Sequence, residues 1–177
     1  MPLTSRCWWL TAALLAAAGC APDQPWFGDA QSRRGPRPSP GDDVVRVVCF
    51  YQQPLWLNLD RERDANPEGF KFNMYLVSRK TNKGVLADGV LHTRMYCREK
   101  RPGQPTRRHE VCAWTQALAD VVRTNRAFQL GWAYQPHFYW ADADVLGKEV
   151  EIVSWYEPLD GRKIYAQTKT LKVPAPR

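Results

Sequence analysis

Between Arg98 and His109 the chain carries five basic side chains, Arg98, Lys100, Arg101, Arg107 and Arg108, and a single acid, Glu99. Pro102, Gly103 and Pro105 break the stretch, so it reads as a surface turn loosened by proline and glycine. Its chemistry is contact with polyanions: lipid headgroups, acidic glycans or wall polymers. The plainer alternative is a solvated hairpin loop. No aromatic side chain interleaves with these arginines, so base stacking has no support there and nucleic acid is not expected as a partner.

Other reactive residue types are sparse. His92, His109 and His137 are the three histidines. His109 stands three residues before Cys112, but no second close pair completes a zinc set, so no metal is expected. Asp60, Glu62, Asp64, Asn66 and Glu68 alternate oxygen ligands as a calcium loop would. Ala65 and Lys71 occupy the positions where an EF-hand needs Gly and Glu, and Arg61 and Arg63 repel a cation, which leaves a charged turn. Asp142 and Asp144 read as another turn. No Gly-x-Ser-x-Gly elbow and no phosphate-cradling glycine loop occurs, so neither a catalytic residue nor a cofactor is singled out. Cys49, Cys97 and Cys112 leave two readings open. In an oxidising compartment one disulfide joins two of them and leaves a thiol over; otherwise all three are small buried hydrophobes.

The first twenty residues look like an address. Arg6 comes first, an uncharged stretch runs from Cys7 to Gly19, and Ala17, Ala18 and Gly19 lead into Cys20. A positive start, a short apolar middle and a small-residue exit describe an export signal. Ala17-Ala18-Gly19-Cys20 resembles the lipobox of bacterial lipoprotein precursors, with Ala17 in place of the more usual Leu. The resemblance implies cleavage after Gly19, so that residues 1–19 are the signal. It also implies a diacylglycerol thioether on Cys20, an acylated amino end and a bilayer as partner. By analogy with lipoprotein sorting, Ala21 rather than Asp after the lipidated Cys implies the periplasmic face of the outer membrane. Two or three acyl chains hold a protein firmly where one does not.

Residues 20–42 follow as a tether. Pro22, Pro25, Pro36, Pro38 and Pro40 sit among Gly, Ser, Asp and Arg, a composition with too little apolar surface to offset its ordering entropy. In extended polyproline II geometry it reaches ~70 Å. Trp26 and Phe27 are its apolar exceptions.

Residues 43–174 must position whatever chemistry there is, and they read as strands. Phe70, Phe72, Met74 and Leu76 alternate with Lys71, Asn73 and Tyr75. Leu130, Trp132, Tyr134, Pro136, Phe138 and Trp140 form a second period-two stripe, which only a pleated strand sends to one face. That stripe could line a sugar groove, but its unbroken period argues for core. Tyr139 and Trp155 fall on the opposite register and are the better contact residues if exposed. Pro136 marks an edge or a bulge. Seven or eight strands are expected near 44–50, 54–58, 70–79, 84–87, 90–97, 108–114, 129–140, 148–157 and 163–173, some of them merging. Pro158-Leu159-Asp160-Gly161 makes the last hairpin. One short helix is expected over Gln116–Thr124, where Leu118, Val121 and Val122 share a face and Thr115 caps.

The expected fold is therefore all-β, a mainly antiparallel sandwich of immunoglobulin-like architecture with one short helix. A chain of 177 residues, 44% hydrophobic and 24% charged with a net charge of +7, excludes a wholly disordered protein. No apolar run reaches the ~20 residues of a spanning helix. The function expected is that of a non-enzymatic envelope lipoprotein presenting a face or an edge strand to an envelope protein or polymer. A carbohydrate- or polyanion-binding module using the 98–109 loop is the alternative, and an envelope hydrolase the second.

Overall fold

The computed structural model describes residues 37–41, 43–59, 66–99, 103, 107–126, 130–140 and 144–176. The signal, Cys20, most of the proline-rich segment, the 60–65 loop, Lys100, Arg101 and Asp142 lie outside them. The described chain runs through β1 (Val44–Phe50), β2 (Trp56–Leu57), β3 (Gly69–Lys71), β4 (Asn73–Ser78), β5 (Gly84–Val85), β6 (Val90–Glu99) and β7 (Arg107–Ala117). It continues through β8 (Val122–Arg126), β9 (Gly131–Gln135), β10 (His137–Tyr139), β11 (Glu149–Glu157), β12 (Ile164–Tyr165) and β13 (Lys169–Lys172). The fold is all-β, with antiparallel sheets packed around one core.

One layer is built on three long strands, β7, β6 and β11, joined antiparallel in that order. β12 and β13 both lie against β11, at its two ends. Alternation along β6 and β11 sends Leu91, Thr93, Met95, Cys97, Val150, Ile152, Ser154 and Tyr156 inward, and all eight are buried.

The second layer is antiparallel except for one parallel contact, and its central ladder is interrupted once. Its sheets run β1-β4-β5-β9-β8 and β10-β3-β2. Met74 faces Tyr134 in the first, and Lys71 faces His137 in the second. Counting inward from both pairs, Phe72 stands opposite Pro136 and the register is the same on either side. Proline has no N–H to give the ladder, so pairing lapses there and resumes in step. The stripe expected over 129–140 is thus two strands, β9 and β10. Leu130 precedes them and is 46% exposed, whereas Tyr134 and Phe138 are buried. At the opposite end of β9, Gly84 and Gly131 touch in parallel. Gly131 has φ +80°, and a Cβ on Gly84 would meet the carbonyl oxygen of Trp132, Tyr75 Cδ1 at 2.8 Å and Leu130 O at 2.9 Å. Only glycine allows this approach.

The core is aromatic at one end. Phe70 is fully buried and its ring meets those of Trp56, Phe72, Trp114, Phe138 and Trp140 at centroid distances of 5.1–6.4 Å. β7 reaches this cluster through side chains. Trp114 Nε1 donates to Tyr139 O at 2.9 Å, and Gln116 Nε2 donates to His137 O at 3.1 Å.

Three expectations change. The helix over Gln116–Thr124 is one 3-10 turn, Leu118–Asp120, between β7 and β8. Leu118 and Val121 do point inward, but from Val122 onward the chain, with β-branched Val122 and Thr124, pairs with β9 instead of coiling. The strand expected over 163–173 is two short ones on one neighbour. The body also begins before residue 43. Ser39 N donates to Leu86 O, Asp88 N donates to Ser39 O, and Arg162 Nη2 donates to Gly41 O.

Candidate functional site

The sequence directs attention first to the basic stretch. Glu99 and Arg107 are the last pair of the β6–β7 hairpin, and Arg98 faces Arg108 one step before them. Register places Arg98 and Arg108 on the outer face of the β7-β6-β11 layer beside acids of β11. Arg98 Nη1 lies 3.2 Å from Glu149 Oε1, and Arg108 Nη2 lies 3.0 Å from Glu151 Oε1. Arg108 also covers the Tyr96 ring at 3.7 Å. These two cations are matched within the protein. Arg107 is exposed opposite Glu99.

The same face continues as a laced surface. Arg94 pairs with Glu110 at 3.0 Å. His92 stacks on Trp155 at 4.8 Å with the rings 8° apart. Its Nδ1 is 3.2 Å from Thr115 Oγ1, and its Nε2 is 3.5 Å from Glu157. Tyr165, Arg94 and Lys163 close over Trp155, which is only 8% exposed. Trp155 is therefore a covered ring, whereas Tyr139, at 40%, is open.

The potential nucleophiles lie inside. Cys49, Cys97 and Cys112 are free thiols. Burial pushes the Cys49 thiol up to about 12 and raises those of Cys97 and Cys112 as well. A thiol held protonated is a poor nucleophile and a poor metal ligand. Thr93 Oγ1 and Ser154 Oγ bond each other at 2.9 Å in the core, and Tyr51 hydrogen-bonds Ser154. Burial raises the Tyr51 hydroxyl, so this group stays neutral. His109 is exposed on β7, opposite Cys97. Among the described residues no three His, Cys, Asp or Glu side chains converge as metal ligands would.

A different site forms on the outer face of the second layer, where the ladder lapses. Phe50 pairs with Asn73, Asn73 stands level with Gln135, and Gln135 pairs with Val122. Three strand spacings of ~4.8 Å make this row ~14 Å wide. Its centre is a relay of carboxamides. Gln135 Nε2 donates to Asn73 Oδ1 at 3.1 Å, and Asn73 Nδ2 donates to Gln52 Oε1 at 3.4 Å. Gln53 is fixed by the Leu55 N–H, which donates to its Oε1 at 3.2 Å. Together with Phe50, Pro54, Lys71 and the strand at Phe72 they line a shallow, open recess. No acid lines it.

Its rim is apolar. Phe50 and Val122 are 37% and 45% exposed. In the next row Val48, Tyr75 and Ala133 pack together, and Phe50 meets Tyr75 edge-on at 5.5 Å. His137 neighbours the recess through Lys71, its partner across the ladder. Burial chiefly, and the Lys71 charge in addition, lower the His137 pKa, so its ring is neutral near pH 7. Sequence reading missed this site because its amides are far apart in the chain. Pro136 was the one local sign of it.

Compared with known proteins, the chain matches no family model, no curated protein and no solved structure.

Proposed function

We propose that this is a lipid-anchored envelope protein whose β-sandwich is a non-enzymatic binding module for an envelope protein or polymer. The observation that carries the reading is Cys20, which follows Ala17-Ala18-Gly19 at the end of an uncharged stretch behind Arg6. The anchor is a thioether-linked diacylglycerol on Cys20, and the location is the periplasmic face of the outer membrane.

The way the chain joins the body suits a tethered module. Since Ser39 already docks on Leu86–Asp88, 18 residues separate it from Cys20. At ~3.1 Å per residue they reach ~55 Å rather than ~70 Å. The junction lies beside Gly89, where β6 begins. Glu99, where β6 ends, lies nine residues further along the strand, ~30 Å away. Attachment and the Glu99–Arg107 pair are thus at opposite ends of the long sheet. A non-enzymatic role is supported by the thiols and hydroxyls of the core, whose burial keeps them protonated. The polyanion reading loses Arg98 and Arg108 to Glu149 and Glu151.

The test is metabolic labelling with palmitate followed by membrane fractionation. Label is expected on the intact chain and absent from Cys20→Ser, with the variant moving to the soluble fraction. An unlabelled wild-type chain, or a Cys20→Ser protein still held on membranes, rejects the anchor.

A further inference from the structure

We propose that the recess at the Phe72/Pro136 lapse is a saccharide-binding site that takes one sugar ring. A pyranose offers a rim of neighbouring hydroxyls, each donor and acceptor, around a C–H face that is apolar. The recess offers the complement of both. Four carboxamides, Gln52, Gln53, Asn73 and Gln135, line it beside the Phe50 ring. A carboxamide carries a donor and an acceptor side by side, the pattern that adjacent hydroxyls require. Their directions are set in advance, because Gln135 donates to Asn73, Asn73 to Gln52, and the Leu55 N–H holds Gln53. Ligand binding then has little side-chain ordering to overcome. The relay uses one Gln135 N–H and the Gln53 oxygen, which leaves Gln135 Oε1 as acceptor and the Gln53 amide as donor.

Phe50 supplies the apolar part. Its ring is 37% exposed at the rim and is held edge-on by Tyr75. An aromatic ring with one free face is the usual partner of a C–H surface. Lys71 adds one further donor to the lining. With no carboxylate among its described lining, the site is not built to attract a cation. A single ammonium among four neutral amides makes hydrogen bonding, not charge, the main source of affinity. The recess runs across the strands from Phe50 to Gln135, so a compact ring fits it better than an extended peptide, which would follow a strand edge.

This proposal is independent of the lipid anchor, and its test uses the full chain carrying Cys20→Ser. Three probes, an N-acetylglucosamine disaccharide, maltose and a galacturonic acid disaccharide, are titrated at millimolar concentrations while the side-chain amide resonances are followed by NMR. At least one probe is expected to move the Asn73 and Gln135 amide signals. Gln135→Leu and Phe50→Ala are each expected to weaken that probe ~10-fold or more. Arg98→Ser with Arg108→Ser should leave it unchanged. If Gln135→Leu fails to fold, the exposed Phe50→Ala decides. No movement with any of the three probes overturns the proposal. So does binding that survives Phe50→Ala, or binding that maps to the β6–β7 hairpin and disappears with salt.

Discussion

On the outer face of β6, β7 and β11, Arg94, Arg98 and Arg108 each lie against a carboxylate, and His92 is stacked on Trp155 between Thr115 and Glu157. On the outer face of β1, β4, β9 and β8, neutral amides bond one another in a row that ends in two exposed apolar side chains, Phe50 and Val122. The first surface, rich in charge, turns its charges on itself. The second, almost without charge, keeps hydrogen-bonding capacity and apolar area for something else. Density of charge in a sequence is thus a poor guide to how much charge a surface leaves unmatched; what matters is whether the partners are already present.

The contrast can be broken from beneath. Phe70→Ala removes the ring on which both layers rest and should destabilise the protein by ~3–5 kcal/mol, read by urea unfolding. A loss under ~1 kcal/mol would mean that the aromatic cluster is not a shared floor. A narrower cut is Gly84→Ala, which drives a methyl group into the Trp132 carbonyl and the Tyr75 ring. It should cost ~1–3 kcal/mol and disturb amide exchange on β4 and β9 before β6 and β11. Uniform change in both layers would show that they are not separable.

Acid should distinguish the faces further. His137 has its pKa lowered below the ordinary 6.5 by burial and by Lys71. In the unfolded chain it takes a proton near 6.5, while in the native state it resists, so the unfolded state binds more protons below that pH. Stability contributed by the neutral ring is present above ~6.5 and is lost as pH falls from there toward the native value. His137→Gln should flatten this part of a stability-versus-pH curve, and an unaltered slope would assign it to other groups. The smallest effect belongs to the laced face. Glu151→Gln separates a half-exposed pair and should cost ~0.2–1 kcal/mol, less in high salt. If the same variant creates binding to heparin, Arg108 was held back by its carboxylate; if not, the basic hairpin has no such role.

What could be read from sequence was whatever a single strand displays. The alternation of Phe70, Phe72, Met74 and Leu76 identified an inward face, and all four are buried. Pro136 pointed to an edge or a bulge; the register is unbroken across it, so what stands there is a lapse in pairing and not a bulge. Leu118, Val121 and Val122 misled because their spacing fits a helix as well as the corner between two strands, and only the β9 backbone decides. The recess was hidden for a stronger reason. Asn73 lies 21 residues from Gln52 and 62 from Gln135, and only the pairing of three strands brings them together. Glu149 and Glu151 are equally remote from Arg98 and Arg108, so the hairpin looked like a patch of unmatched cations.

The unbroken count across Phe72 and Pro136 limits how this chain can change length. Lys71 keeps step with His137 and Met74 with Tyr134, so neither of these two neighbouring strands can gain or lose one residue alone. A single insertion between Phe72 and Met74 would rotate one panel half a pleat, carrying Phe70 to the solvent and Lys71 into the aromatic cluster. Lengthening is tolerable only as paired events or at the hairpin tips. The crease at Pro136 is thus the point about which the two panels of the layer are kept in phase.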